Sequence, residues 1–234
     1  MAATTDPRRV RTEISTVMFV DLVEYTRTTA LLTRERFDEL LNVFEALPKP
    51  IFEKFGGIVV KKLGDAFMVT FKSPTDAVLC GIALQNAFRR YNVRNRLRNP
   101  LRIRVAIHTG EVMHRGGDIY GDTVNTAARI ESVAEAGQVV FSEAVFSAMN
   151  KNEIPCIPLG YEKLKGVRYP VRLFRVWTRN DEKLRRQRAL RRFLQQLVML
   201  GIVVILLVLL IRFVWLNYGP LPVEQVMENI SVIA

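Results

Sequence analysis

One uninterrupted apolar stretch near the C-terminus constrains the fold more than any other feature of this sequence. Leu197–Ile211 spans fifteen residues without a charged side chain, and continuing past Arg212 to Leu216 gives twenty residues. A helix of about twenty apolar residues is long enough to cross a bilayer. The alternative is a buried core helix, but nothing else in the chain is large enough to cover it. The sequence therefore predicts a single transmembrane helix over residues 197–216.

The residues beside this stretch predict its orientation. Seven basic residues and two acidic ones lie between Arg179 and Arg192, and basic flanks stay on the cytoplasmic side of a membrane. We therefore expect a single-pass protein of the inner (plasma) membrane whose N-terminal domain is cytoplasmic. A basic juxtamembrane helix at 179–196 and a short extracytoplasmic tail at 217–234 complete this part of the chain.

Strand and helix patterns alternate in the rest of the sequence. A run of β-branched and apolar residues predicts a strand at Thr12–Asp21, and helical spacing predicts a helix at Ser73–Tyr91. Several strands are separated by short links, among them a predicted hairpin whose polar tip is Lys61–Asp65. This order favours an α+β sandwich with a mixed or antiparallel sheet over a doubly wound fold. We expect one domain at 12–178, after a tail at 1–11.

Two aspartates are candidates for metal binding. Asp21 ends the first predicted strand, and Asp65 lies at the tip of the hairpin. Neighbouring strand ends would bring the two carboxylates side by side, where they repel each other unless a cation neutralises them. Hard divalent cations prefer such oxygen ligands. Each aspartate taken alone is more often a turn residue or a helix cap, so the pair by itself indicates only a divalent cation site.

A third segment leads from a glycine-rich loop, which follows a strand predicted at Leu101–His108, into another predicted helix. Asn125 and Arg129 are four residues apart in this helix and therefore share one face of it. Such a pair alone usually belongs to a solvated surface. In the same chain as the two aspartates, and in this order, it indicates that the three segments converge on one site.

Four motifs occur in order along the domain: Phe-x-Asp-x-x-x-Tyr-Thr, Lys-x-x-Gly-Asp-x-Phe-Met, Arg-Val-x-Ile-His-Thr-Gly and Asp-Ile-Tyr-Gly-x-x-Val-Asn-x-Ala-x-Arg. In combination and order, these motifs resemble those of the class III adenylyl and guanylyl cyclases. The resemblance covers about Thr12–Trp177. It implies a ferredoxin-like catalytic domain, two copies of which pair head to tail and form active sites at their interface.

The resemblance implies that one chain binds the cations and phosphates of ATP. Asp21 and Asp65, with the carbonyl oxygen of Leu22, would hold two Mg²⁺ or Mn²⁺ ions per active site. The residues implied to contact the phosphates, or to lie beside them, are Tyr25, Thr26, Arg104 and Lys165.

The second chain of the implied homodimer completes the site. Lys61 would donate to adenine N1, and Asp118 would accept from the 6-amino group. Asn125 would orient the ribose, and Arg129 would stabilise charge on the α-phosphate. Together these roles predict an adenylyl cyclase that forms cyclic AMP and pyrophosphate.

Two alternatives stay open at this point, a guanylyl cyclase and a cyclase-like regulatory module without turnover. Guanine reverses the donor and acceptor pattern of adenine, so Lys61 and Asp118 disfavour the first. The complete set of site residues disfavours the second.

Two further features are not assigned to the site. The arginines between Arg89 and Arg102 lack aromatic interleaving beyond Tyr91, so we expect no nucleic-acid partner. His108 is expected to be a structural residue of its strand.

Overall fold

The computed structural model describes residues 11–23 and 33–219. Tyr25 and Thr26, two of the predicted phosphate contacts, lie outside the described residues. The chain divides into two compact units, Met1–Trp177 and Thr178–Ala234.

The first unit alternates strands with helices. In chain order its elements are β1 (Arg11–Leu22), α1 (Arg34–Ala46), α2 (Lys49–Lys54), β2 (Ile58–Leu63), β3 (Ala66–Phe71), α3 (Pro74–Arg94), β4 (Ile103–Arg115), β5 (Asp118–Tyr120), α4 (Asp122–Val133), β6 (Val139–Ser142), α5 (Glu143–Ala148), β7 (Cys156–Glu162) and β8 (Val171–Val176).

The strands form one mixed sheet within the described residues. Their order is β2-β3-β1-β4-β6-β8-β7, and β5 pairs with β4. β1 lies antiparallel to both β3 and β4. Helices α1 and α2 connect β1 to β2, and α3 connects β3 to β4, which gives the β-α-β-β-α-β order of a ferredoxin-like fold. The predicted α+β class and ferredoxin-like core are therefore present.

Alternation along β1 divides the core between the two faces of the sheet. Met18 and Val20 pack with residues of α1, α2 and α3 on one face. Val17 and Phe19 pack on the other face with Ala127 of α4. Because successive side chains of a strand point to opposite faces, Asp21 follows Val17 and Phe19 onto the α4 side of the sheet.

The hairpin of β2 and β3 differs from the sequence prediction. Lys61 belongs to β2, and the turn consists of Gly64 and Asp65. The pairing of β2 with β3 shifts register between Val59 and Lys61. A β-bulge of this kind re-aims the side chains that follow it, so the bulge helps to set the direction of Lys61.

Gly110 allows α4 to approach the sheet closely. A Cβ atom at this position would lie 2.5 Å from Thr123 Oγ1, too close for a non-bonded contact. The Thr123 hydroxyl instead donates to the carbonyl oxygen of Glu111 at 2.7 Å. The glycine therefore fixes the depth at which the first turn of α4 packs.

The second unit contains one long helix, α6 (Arg179–Tyr218). Asp181 Oδ2 accepts hydrogen bonds from the backbone N–H and the hydroxyl of Thr178, at 2.8 and 2.7 Å, which caps the start of the helix. Within α6, the segment Phe193–Asn217 contains an 18-residue window with a mean hydropathy of 3.2 and no buried residue. This segment is long and apolar enough to cross a membrane.

Candidate active site

The ends of β1 and the β2–β3 turn bring the two predicted metal-binding aspartates together. Asp21 lies opposite Ala66 in the pairing of β1 with β3. Ala66 directly follows the turn residue Asp65. The backbone N–H of Leu22 donates to the carbonyl oxygen of Asp65 at 3.2 Å. Two carboxylates and the Leu22 backbone thus meet at one edge of the sheet.

Burial governs the electrostatics of Asp21. Its residue surface is 8% exposed, and the removal of water raises the pKa of its carboxyl group above the ordinary value. The guanidinium of Arg104 acts in the opposite direction, whereas the negative charge of Asp65 raises this pKa further. The site therefore concentrates negative charge where little solvent screens it.

Arg104 of β4 lies beside Asp21 of the neighbouring strand β1. The two residues are direct partners in the pairing of β1 with β4. Arg104 Nε and Nη2 both approach Asp21 Oδ2, at 2.8 and 2.6 Å. The structure thus places Arg104 beside Asp21, and its predicted contact with phosphate stays a prediction.

Glu131 is a third carboxylate at this edge, and the sequence interpretation missed it. It lies on α4 and forms an ion pair with Arg104 Nη2. Burial raises the pKa of Glu131, and the nearby charges of Asp21 and Asp65 add to that effect while Arg104 opposes it. A signal for this residue was present in the sequence, because Glu131 falls four residues after Ala127 on the otherwise apolar side of the helix.

Lys61 and Asp118 form an ion pair, separate from the group of Asp21, Asp65, Arg104 and Glu131. Lys61 Nζ donates to Asp118 Oδ2 at 2.6 Å, and Asp118 Oδ1 accepts from the backbone N–H of Ile119 at 2.8 Å. The hydrogen bond from Lys61 is the main reason that the pKa of Asp118 lies below its ordinary value. The fold therefore brings the predicted purine-reading pair together in a single chain.

The other predicted site residues within the described part of the chain, Asn125, Arg129 and Lys165, are not bonded to the two aspartates. Asn125 and Arg129 are exposed on α4, and Lys165 is exposed in the turn between β7 and β8. Within the described part of the chain, no hydrogen bond or ion pair connects these three side chains to Asp21 or Asp65. On α4, a separation of two residues turns Glu131 about 200° from Arg129, so the helix presents the two to opposite sides.

His108 lies in β4, where its Nδ1 is 2.7 Å from the hydroxyl oxygen of Ser142. Burial lowers the pKa of His108 to about 4. A neutral ring held inside the sheet fits the structural role expected from the sequence.

The described residues contain no cluster of three or more His, Cys, Asp or Glu side chains arranged to hold a metal ion. Any cation at this edge would therefore depend on Asp21 and Asp65 with backbone or substrate oxygen atoms. Such a donor set fits Mg²⁺ or Mn²⁺, because these ions commonly bind one or two carboxylates together with substrate phosphates.

Comparisons with known proteins find relatives that share most of this chain. Putative adenylate cyclase 3 of Rhizobium meliloti (strain 1021) is 28% identical over 173 residues, which cover 74% of this chain and 29% of that protein. The serine/threonine-protein kinase pkn2 of Myxococcus xanthus is 35% identical over 166 residues, or 71% of this chain and 20% of that protein. The chain thus spans less than a third of the length of either relative.

A solved structure and a family model match the first unit. The crystal structure of the adenylyl cyclase CyaB from P. aeruginosa superposes with a TM-score of 0.66 at 30% identity, covering 73% of this chain and 96% of that one. The family model of the adenylate and guanylate cyclase catalytic domain matches residues 9–177. Since this match takes in most of the chain, and the fold and the order of the motifs agree with it, the chain belongs to the class III adenylyl and guanylyl cyclase family.

Proposed function

We propose that this chain is an adenylyl cyclase, which converts ATP to 3′,5′-cyclic AMP and pyrophosphate at sites shared by a homodimer. The observation that carries the proposal is the contact between Lys61 and Asp118, which presents a hydrogen-bond donor and an acceptor 2.6 Å apart. The same domain holds Asp21 and Asp65 at neighbouring strand ends. A base-reading pair and a cation-binding pair in one fold together support the cyclisation of ATP.

The chemistry of the Lys61–Asp118 pair favours adenine over guanine. The lysine ammonium can only donate hydrogen bonds, and an ionised carboxylate can only accept them. Adenine offers an acceptor at N1 and a donor at its 6-amino group, whereas guanine offers the reverse. A guanine base would leave both side chains facing like partners, and each unsatisfied polar group costs about 1–3 kcal/mol.

Asp21, Asp65 and the carbonyl oxygen of Leu22 would hold two Mg²⁺ or Mn²⁺ ions. When bound, these ions supply Lewis acidity that lowers the pKa of the ribose 3′-hydroxyl and offsets the phosphate charge. The residues of the chain would hold these ions in place. Burial of Asp21 keeps its carboxylate in a weakly screened environment, where its attraction to a cation is stronger than in water.

The positions of Asn125 and Arg129 support a shared site. Both are exposed on α4, and within the described residues no hydrogen bond or ion pair joins either side chain to Asp21 or Asp65 of its own chain. A symmetric dimer would let each α4 complete the site of the other chain, so that two equivalent sites form. There Asn125 would orient the ribose, and Arg129 would stabilise negative charge on the α-phosphate.

The reaction then consists of one displacement. A bond forms between O3′ and the α-phosphorus, and the bond from that phosphorus to the bridging oxygen breaks. Pyrophosphate leaves with the bond electrons, and the hydroxyl proton passes to water. Arg104, Lys165 and the phosphate-binding segment that contains Tyr25 and Thr26 would contact the phosphates and favour the charge distribution of the transition state.

We also propose that Phe193–Asn217 anchors the enzyme in the inner (plasma) membrane, with the catalytic domain on the cytoplasmic side. The length and hydropathy of this helical segment support the anchor. The basic residues before it support the orientation, because positive flanks are retained in the cytoplasm.

The test is a nucleotide-specific cyclase assay on the full chain in lipid nanodiscs. We expect cyclic AMP and pyrophosphate from ATP with Mn²⁺ or Mg²⁺. Asp21→Asn and Asp65→Asn proteins should lose at least about a hundredfold in kcat/KM, because even the loss of a residue that only supports a metal ligand costs about 10- to 100-fold. Asp38→Asn is the matched control, because Asp38 is exposed on α1 and its recorded hydrogen bond is to Asn42.

Three results would overturn the proposal. A higher kcat/KM for GTP than for ATP would make the protein a guanylyl cyclase. Nucleotide binding without product, across metals and pH, would make it a regulatory module. Full activity in either aspartate variant would remove the cation site from the mechanism.

A further inference from the structure

Arg104 is held by two carboxylates at once. Its Nε and Nη2 atoms both bind Asp21 Oδ2, and Nη2 also forms an ion pair with Glu131 Oε1. The side chains of Arg104, Asp21 and Glu131 are 28%, 11% and 20% exposed. The three groups therefore form a charged cluster that is largely removed from water, on the side of the sheet that α4 covers.

Packing does not explain why a carboxylate, Glu131, occupies this position of α4. Its neighbours on the inner side of α4, Ala127, Ile130 and Ala134, are buried and apolar. Its Oε1 atom is fully buried and has no aligned hydrogen-bond donor among the residues that the structure describes. A buried carboxylate oxygen without a hydrogen bond is costly, so an apolar residue would stabilise this helix better. Glu131 contributes an ion pair with Arg104 and a side-chain hydrogen bond with Asp21.

Cation binding would change the surroundings of Arg104. Under the proposed function, on which this inference rests, the oxygens of Asp21 bind a divalent cation. The guanidinium would then share its acceptor, Asp21 Oδ2, with a second positive charge. Two cations competing for one carboxylate repel each other strongly in a weakly screened site. Before the phosphates of the nucleotide arrive, Arg104 would be displaced from this edge unless another anion held it.

We propose that Glu131 is a positioning residue that retains Arg104 beside the cation site when Asp21 binds its cation. Glu131 itself touches neither the nucleotide nor the cation. It keeps the guanidinium at the carboxylate edge, where Arg104 is available to the phosphates of the nucleotide.

The test uses full-length protein in nanodiscs and 3′-deoxy-ATP, which lacks the attacking hydroxyl and cannot be cyclised. Isothermal titration with Mn²⁺ present measures its binding. Glu131→Gln keeps the shape and removes the charge, and we expect it to weaken binding about tenfold, the scale of one charge-assisted contact. In the Arg104→Ala background the same substitution should change binding by less than about twofold, because the residue acts through Arg104.

Two further variants serve as controls. Glu135→Gln should bind as wild type does, since Glu135 is an exposed acid one turn further along the chain. Glu131→Asp retains the charge and should lose less than Glu131→Gln. Thermal unfolding of each protein separates a loss of binding from a loss of fold.

Equal losses from Glu131→Gln with and without Arg104 would overturn the proposal. A greater loss from Glu131→Asp than from Glu131→Gln would do the same, because shape rather than charge would then matter. Titration with Mn²⁺ alone tests whether Glu131 binds the cation directly. Weaker Mn²⁺ binding after Glu131→Gln in the Arg104→Ala background would make Glu131 a cation ligand instead. Cyclic AMP synthesis tests the proposed function separately, because binding of 3′-deoxy-ATP requires no turnover.

Discussion

Lys61 Nζ lies 2.6 Å from Asp118 Oδ2, although 57 residues separate the two along the chain. Two local features create this contact. The bulge before Lys61 re-aims its side chain from β2, and pairing of the short strand β5 with β4 positions Asp118. The donor and the acceptor proposed to read the base are therefore aligned by the backbone of one chain.

Removing either member of this pair should reduce the use of ATP. Lys61→Met and Asp118→Asn are each expected to lower kcat/KM for ATP about 10- to 100-fold, because the remaining charge loses a charge-assisted hydrogen bond of about 1.5–3 kcal/mol. The double variant should lose less than the product of the two single losses. Rates with ATP and GTP measure both the losses and the expected narrowing of the ATP preference. Independent, multiplicative effects would contradict a functional pair.

Mixed dimers should recover activity that neither parent has. In a dimer of Asp65→Ala with Arg129→Ala chains, one site carries both defects and the other carries neither. The heterodimer keeps one intact site of two, so about half of the wild-type activity per dimer is expected from symmetry. The cyclase assay is run after co-expression with two different affinity tags, which isolate the heterodimer. An inactive heterodimer of demonstrated composition would contradict the shared site.

His108 should make stability depend on pH in the acidic range. Its pKa is about 4 in the folded chain and about 6.5 when exposed, so the unfolded state binds more protons between these values. Stability should therefore be constant above pH 6.5 with respect to this group and fall as the pH drops towards 4. The loss is at most about 3 kcal/mol. Urea unfolding of wild type and His108→Gln, followed by circular dichroism, should give a shallower pH dependence for the variant. Equal slopes would refute this assignment.

Charges placed within the apolar part of α6 should prevent membrane insertion. Val204→Arg with Val208→Arg adds about 5–7 kcal/mol to the insertion free energy if both lie near the bilayer centre. The protein should then move from the carbonate-resistant membrane fraction to the soluble fraction. Val204→Ala with Val208→Ala controls for the loss of side-chain volume. A doubly charged variant that stays in the membrane fraction would contradict a spanning role for Phe193–Asn217.

Alternation of apolar residues predicted much of the arrangement that holds the site. The strand pattern before Asp21 is strong because it is nearly all β-branched or apolar, and the strand predicted at Thr12–Asp21 is present as Arg11–Leu22. The closeness of Asp21 and Asp65 followed from adjacent strand ends. These features depend on local periodicity and short links, which a single sequence displays directly.

Other elements depend on contacts that are distant in sequence. β5 has three residues and lies in the segment that the sequence predicts as a glycine-rich loop, because so short a strand exists only through its pairing with β4. β7 was also missed, because Pro158 and Gly160 weaken its strand pattern and flank a register shift. The partnership of Glu131 with Arg104 joins a helix to a strand, and no spacing rule within either element reveals it.

The two sides of α4 also restrict how this chain can change during evolution. Glu131 turns towards its own sheet, whereas Asn125 and Arg129 lie on the exposed side. A single-residue insertion or deletion between Arg129 and Glu131 would rotate everything after it by about 100°. Such an insertion or deletion would break the ion pair between Glu131 and Arg104 even though Arg104, Arg129 and Glu131 were all still present. A change in length at this point would therefore alter the side that Glu131 faces while Asn125 and Arg129 keep their positions.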